Sequence, residues 1–283
     1  MIKIVTDSTH YLPSHLIAEH DIHVVPVMLL FGDKVYYEGI DIDSDTFFQR
    51  LASNHTFPTT SQPSTSAFLD IWRPLLDAGH EVITILLSAK VSGTFDTAQA
   101  LLKHLSPDAP ISIVDSASTA TGMGFQVLRA AELVEQGLSR DKIVDRLQKM
   151  QQQIQIMLVP DTLEYLHRGG RINAVSAWLG NMLSIKPLLS FSNGFLEPIE
   201  RIRTLHRAKK RLIELTLEHL GSDLQPWISV MHSRSPGQAQ DLLSVFRARF
   251  PGAQFFTSEI GPALGVHIGP GGVGVISCPS QAL

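Results

Sequence analysis

The stretch "ITILLSAKVSGTFDTAQALL", residues 83 to 102, passes from an apolar, β-branched run into a helical pattern, with Ser88, Ser92, Gly93 and Thr94 between them. The run "VITILL" (82–87) reads as a buried strand, and "FDTAQALLKHL" reads as the helix that follows it. Three more strand candidates lie in the first half: "IKIV" (2–5), "HVVPVMLL" (23–30) and "ISIV" (111–114). Helical patterns separate them, in "SAFLDIWRPLLDAG", "TGMGFQVLRAAELVEQG" and "SRDKIVDRLQKMQQQ". The last opens on Ser139 as a cap, with Asp141 in its first turn. Pro74 disturbs the first and predicts a kink or a later start. Strands alternating with helices predict a parallel sheet covered on both faces.

The order changes after "QIMLVP" (155–160). There "PLLSF", "SNG" and "FLEPIERI" read as a β-hairpin. A basic helix "RAKKRLIELTLEHL", strand "WISVMH", helix "GQAQDLLSVFRARF", strand "AQFFTS" and a last strand "VGVIS" complete the chain. The expected architecture is α/β in two domains. Residues 1–155 carry a parallel sheet with helices on both faces, and residues 156–283 carry a mixed sheet.

Composition limits the function. The chain has 283 residues and is 44% hydrophobic, which suffices for a large core. A net charge of −4 argues against a general nucleic-acid or membrane-surface protein. Cys278 is the only cysteine, which excludes an internal disulfide and a cysteine-based metal cluster and suits a reducing, cytoplasmic setting. No charged segment leading into a long apolar run opens the sequence, so no signal peptide is expected. No apolar stretch reaches the ~18 residues that span a bilayer.

Hydroxyls gather behind the strands: Thr6-Asp7-Ser8, Ser88 with Ser92-Gly93-Thr94, Asp115-Ser116 with Ser118-Thr119, and His232-Ser233. Each could be an ordinary helix cap. Together they lie where open α/β sheets collect ligands, beyond the carboxyl ends of the strands, where free helix N–H groups favour an anion. Ser92-Gly93-Thr94 is the best of these, because Gly93 lets a ligand come close to the backbone. "FPTTSQPSTS" (57–66) reads as a proline-stiffened polar loop suited to gripping a small acid.

Other signals mislead or divide. "GPGGVG" (269–274) has the letters of a dinucleotide fingerprint without the strand before it or the helix after it. Ser92, His267 and Asp115 could form a hydrolytic triad, but "KVSGT" is no nucleophile elbow. His267 itself could be structural or a ligand contact. "RIRTLHRAKKR" (201–211) reads as a solvated helix face or a dock for an acidic partner. "HRGGR" (167–171) could present Arg168 and Arg171 to a phosphate or carboxylate, or end a helix with cations and glycine. No metal-ligating spacing is present.

Taken in order, "IVTDS" (4–8), "TSQPS" (60–64), "SGTF" (92–95), "VDS" (114–116), "LEYLHRGGRI" (163–172), "LSIKPLL" (183–189), "RIRT" (201–204) and "IGPALGVHIGPGGVGV" (260–275) resemble the DegV family of bacterial fatty-acid-binding proteins. The resemblance runs nearly end to end. It implies two α/β domains with a lipid tunnel between them, and a non-catalytic protein whose only ligand is a long-chain fatty acid, without cofactor or metal. It implies a separate ATP-using fatty acid kinase as partner, an acyl-phosphate product for phospholipid synthesis, and at most transient membrane contact. The ligand-binding residues implied are Thr60, Ser61, Ser92, Gly93 and His267, with Arg168 bracing the site. Arg171 and, in "RIRT", Arg203 rather than Arg201 would face the kinase. Phe95 stands where the family often has tyrosine. The alternative is a hydrolase or transferase acting on a small anionic substrate at the same strand ends.

Overall fold

The tertiary structure is a computed structural model, and it describes every residue except 54–55, 106–107, 173 and 179–184. The first two residues of "LSIKPLL" therefore lie outside the described residues. In chain order the strands are β1 (Ile2–Asp7), β2 (His23–Val25), β3 (Met28–Phe31), β4 (Lys34–Tyr37), β5 (Thr59–Ser61), β6 (Glu81–Leu86), β7 (Ile111–Asp115), β8 (Gln155–Val159), β9 (Lys186–Ser192), β10 (Phe195–Ile202), β11 (Trp227–His232), β12 (Gln254–Glu259) and β13 (Val273–Cys278). The helices are α1 (Ser14–Glu19), α2 (Ser44–Ser53), α3 (Thr65–Asp77), α4 (Thr94–Leu105), α5 (Ala120–Glu135), α6 (Arg140–Gln151), α7 (Glu164–Arg168), α8 (Leu205–Leu220), α9 (Pro236–Arg249) and α10 (Pro262–Ile268).

The parallel sheet has the order β2-β1-β6-β7. Its strands are apolar on both faces because both are covered. Ile4, Ile83 and Ile85 pack in one core with α5 and α6, while Val5, Val82 and Leu86 pack in another with α3 and α4. The mixed sheet has the order β10-β9-β8-β13-β11-β12, antiparallel throughout except for β11 with β12. The hairpin between β9 and β10 turns through Asn193 and Gly194, at φ 51° and 86°. Successive residues with positive φ match the twist of a two-residue hairpin. One face of this sheet is covered by α8 and α9. The other carries Phe191, Met231 and Ile276 into the core built on α5. That helix is buried along most of its length, as a helix between two sheets must be.

Three expectations are corrected. "HVVPVMLL" is not one strand: Pro26 breaks it, β2 joins the parallel sheet, and β3 joins a separate antiparallel sheet ordered β4-β3-β5. "FPTTSQPSTS" is not all loop, because Thr59–Ser61 pair with β3, with Leu29 opposite Thr60. Helix α3 runs through Pro74 rather than starting after it, capped by Ser64, whose Oγ accepts from the Ala67 N–H at 3.2 Å. Ser139 does occupy the cap position of α6, but its side chain makes no capping bond.

Candidate ligand-binding site

Most strand-end polar groups are spent on the backbone. Asp7 is buried and accepts from the Thr9 and Leu87 N–H groups, each at 2.9 Å. Ser88 Oγ donates to the Gly194 carbonyl at 2.7 Å, and Ser116 Oγ to that of Ser118 at 3.3 Å. Asp115 Oδ1 accepts from the N–H groups of Ala89 and Ala117. It makes no bond to His267, so the triad reading has no relay. Asp7 is a true cap, of the short turn Ser8–His10, and the others tie loop backbone together.

Ser92 and its neighbours differ. They line a cavity, open at its mouth, that reaches between the parallel and mixed sheets. Its body is apolar: Val27, Leu87, Val91, Ile156, Leu166, Phe191, Met231, Ile260, Leu264 and Ile276 all contribute. Thr60, Ser61, Ser92, Gly93, Arg171 and His267 also line it. Thr60 arrives on β5, Ser92 and Gly93 in the turn that begins α4, and His267 on α10. Thr60 Oγ1 and His267 Nε2 are hydrogen-bonded at 3.2 Å. Ser92 Oγ lies 2.9 Å from Thr94 Oγ1 and accepts from the Thr94 N–H at 3.3 Å. Burial, with Arg171 adding to it, pushes the His267 pKa down to about 4, so the ring is neutral at pH 7. Its Nδ1 is buried without a partner among the described residues.

The arginines occupy three different settings. Arg168, expected to brace the ligand, is exposed; it pairs with Glu164 at 3.3 Å and lies 4.0 Å from the centre of the Phe57 ring. Arg171, expected to face a partner, is half-buried in the cavity wall, where Nε donates to the Val91 carbonyl at 3.1 Å and Nη1 to that of Gly169 at 2.9 Å. The cause is local. Helix α7 ends at Arg168, and Gly170 at φ 70° turns the chain inward. Arg203 is exposed and makes no ion pair among the described residues, whereas Arg201 bonds the Ala177 carbonyl and lies over Trp178. Most of the remaining basic stretch is paired: Arg211 with Glu200, Glu214 and Glu218, Lys209 with Asp241, and Lys210 with Glu214.

Sequence reasoning passed over Gln62. Its amide packs over Gly93, where an added Cβ would meet it at 3.2 Å, and it lines the cavity beside Ser61. Its place inside "TSQPS" was the available signal. The described residues include no cluster of His, Cys, Asp and Glu able to hold a metal and no helix long and apolar enough to cross a membrane.

A family profile described as DegV, an uncharacterised protein family, matches residues 1–280. The chain belongs to the DegV family. The DegV protein of Bacillus subtilis is 32% identical over 278 residues, covering 98% of this chain and 99% of that one. A DegV domain-containing protein of Streptomyces coelicolor is 36% identical over 277 residues, 97% of each chain. Among solved structures, DegV of Bacillus subtilis, described as a fatty acid binding protein, superposes with a TM-score of 0.91 at 32% identity, covering 99% of both chains. A fatty-acid-binding DegV family protein of Thermus thermophilus gives 0.92 at 29%, covering 98% of this chain and 99% of that one. A stearic acid-binding protein of Eubacterium ventriosum gives 0.92 at 25%, covering all of both. Each of these three solved relatives is described as binding a fatty acid.

Proposed function

We propose that this chain binds a long-chain fatty acid in the cavity, with the carboxylate at Thr60, Ser92 and His267, and presents it to a separate ATP-dependent fatty acid kinase. The observation that carries this reading is the hydrogen bond between Thr60 and neutral His267 in the wall of an otherwise apolar cavity. Burying an anion without partners is prohibitive. With its proton on Nε2, His267 donates to Thr60 and leaves the threonine proton for a ligand oxygen. Ser92 can do the same while it accepts from Thr94. The backbone at Gly93 and the opening of α4 add electrostatic attraction for an anion, and Arg171 adds positive charge nearby. Each buried methylene contributes about 0.8 kcal/mol, so a C16 or C18 chain supplies about 10 kcal/mol before ordering costs. The tail drives affinity and the polar end sets direction.

A grip made mainly of neutral hydroxyls leaves the carboxylate nucleophilic toward a γ-phosphate, while the kinase and its metal supply the stabilisation of charge. Exposed Arg203, without an ion pair among the described residues, suits contact with that partner or its nucleotide. Arg171, committed to the Val91 and Gly169 carbonyls, suits the ligand side better than the partner side. The division into residues 1–155 and 156–283 belongs to the same reading; every strand of the parallel sheet precedes it, and all but the first residue of the mixed sheet's strands follow it.

Mass spectrometry of an organic extract tests the proposal. Purified protein is expected to release a long-chain fatty acid, and stripped protein to take up added palmitate. No lipid and no uptake would remove it. Formation of acyl-phosphate from the loaded protein, ATP and a fatty acid kinase tests the second half.

A further inference from the structure

The small sheet β4-β3-β5 touches helix α10 at both ends. At the C-terminal end the contact is Thr60, on β5, with His267. At the N-terminal end it is Glu38, the residue after β4. Glu38 Oε1 accepts from the Ala263 N–H at 2.8 Å and from the Tyr11 hydroxyl at 3.0 Å, while Oε2 accepts from Ser8 Oγ at 2.5 Å. The Tyr11 hydroxyl accepts in turn from the Leu264 N–H at 3.3 Å. Pro262, the first residue of α10, has no N–H to offer, so Glu38 and Tyr11 between them satisfy the next two. Glu38 is 5% exposed and its carboxylate has three donors, an unusual expenditure for a residue outside the cavity wall.

We infer that Glu38 is a positioning residue for the ligand site: by holding the first turn of α10 to the small sheet, it sets where His267 stands against Thr60. Both ends of α10 are thereby referred to the small sheet. A shift of the helix start moves the imidazole, because only one turn separates Ala263 from His267. The influence runs through position; burial first, and Arg171 second, hold the His267 titration down. The consequence for affinity rests on the proposed lipid reading; the placement of His267 does not.

The test is nuclear magnetic resonance titration of the His267 ring, identified by its loss in His267→Asn, alongside palmitate displacement of a fluorescent C18 polyene acid. Glu38→Ala is expected to let water reach the ring and raise its titration point by about one unit or more. It is also expected to weaken palmitate about fivefold or more, the scale of one lost hydrogen-bond partner. Glu38→Gln keeps an acceptor for Ala263 and Tyr11 and is expected to leave both readings near wild type. Tyr11→Phe removes only the second tether and is expected to move the titration in the same direction by a smaller amount. A folded Glu38→Ala with His267 unmoved overturns the inference. So does an unmoved ring in Tyr11→Phe, which decides the matter alone if Glu38→Ala does not fold. Wild-type protein that takes up no palmitate would sink the lipid reading, while the titration still judges Glu38.

Discussion

A Cβ placed on Gly169 would stand 2.2 Å from Nδ1 of His267, so the first glycine of "HRGGR" is the space that the imidazole fills. The backbone there is ordinary, with φ −79°, so an alanine would be penalised only by the collision. Gly169→Ala is expected to cost about 1–3 kcal/mol of stability, the range for overpacking. It should also weaken fatty-acid uptake by displacing His267. Urea melts check the first effect. A double variant with His267→Ala should recover most of the stability but not the affinity, because the two changes share one contact.

Thr60→Val keeps the side-chain shape and deletes the hydroxyl. Ser92→Ala does the same at the start of α4. Each is expected to weaken palmitate binding by roughly 1–3 kcal/mol, since each leaves a buried carboxylate one donor short. Displacement titrations read this directly. Unchanged affinity in both variants would place the acid group elsewhere.

Glu38 gives the chain a specific pH signature. Burial raises its carboxyl from 4.5 to about 7. The folded state therefore holds that proton more tightly than the unfolded chain does. The stability it contributes is full below about pH 4.5 and is lost as pH rises through about 7. Asp7, also raised by burial, acts in the same direction. Buried His10 and half-buried His267, lowered to about 4, act oppositely by destabilising the fold as pH falls below their ordinary value. The comparison with Glu38→Gln isolates the carboxyl. The stability of that variant relative to wild type should increase between pH 4.5 and pH 7.5 by up to about 3 kcal/mol. Urea midpoints across that range measure it, and a flat difference would contradict the assignment.

Pro74 is exposed within α3 and deprives the helix of one hydrogen bond. Pro74→Ala is expected to stabilise the protein by roughly 1–3 kcal/mol, raising the melting temperature without altering ligand affinity.

Arg203→Glu leaves the cavity untouched. It is expected to retain wild-type palmitate affinity and to reduce acyl-phosphate formation with a fatty acid kinase tenfold or more, ~1.4 kcal/mol or greater, when its charge is reversed at the partner surface. Equal loss of both would assign the residue to ligand binding instead.

Local pattern determined a great deal by itself. The runs at 2–5, 82–87 and 111–114 became β1, β6 and β7, and "SNG" became the turn between β9 and β10. These depend on apolar periodicity and turn chemistry, which act over a few residues. Ser92 stood out through its setting beside Gly93, and Thr60 and His267 as members of an ordered set of motifs; all three line the cavity. Tertiary structure decided the rest. Pro26 marks a break in "HVVPVMLL", yet nothing local says that its halves belong to different sheets. Arg168 and Arg171 look alike in sequence, and only the Gly169–Gly170 turn determines which one enters the cavity wall. Thr60 and His267 are 207 positions apart, and their hydrogen bond exists only because the small sheet and α10 are held together. Periodicity encodes which face of an element is buried; the partner that buries it is chosen by packing between segments far apart in the chain.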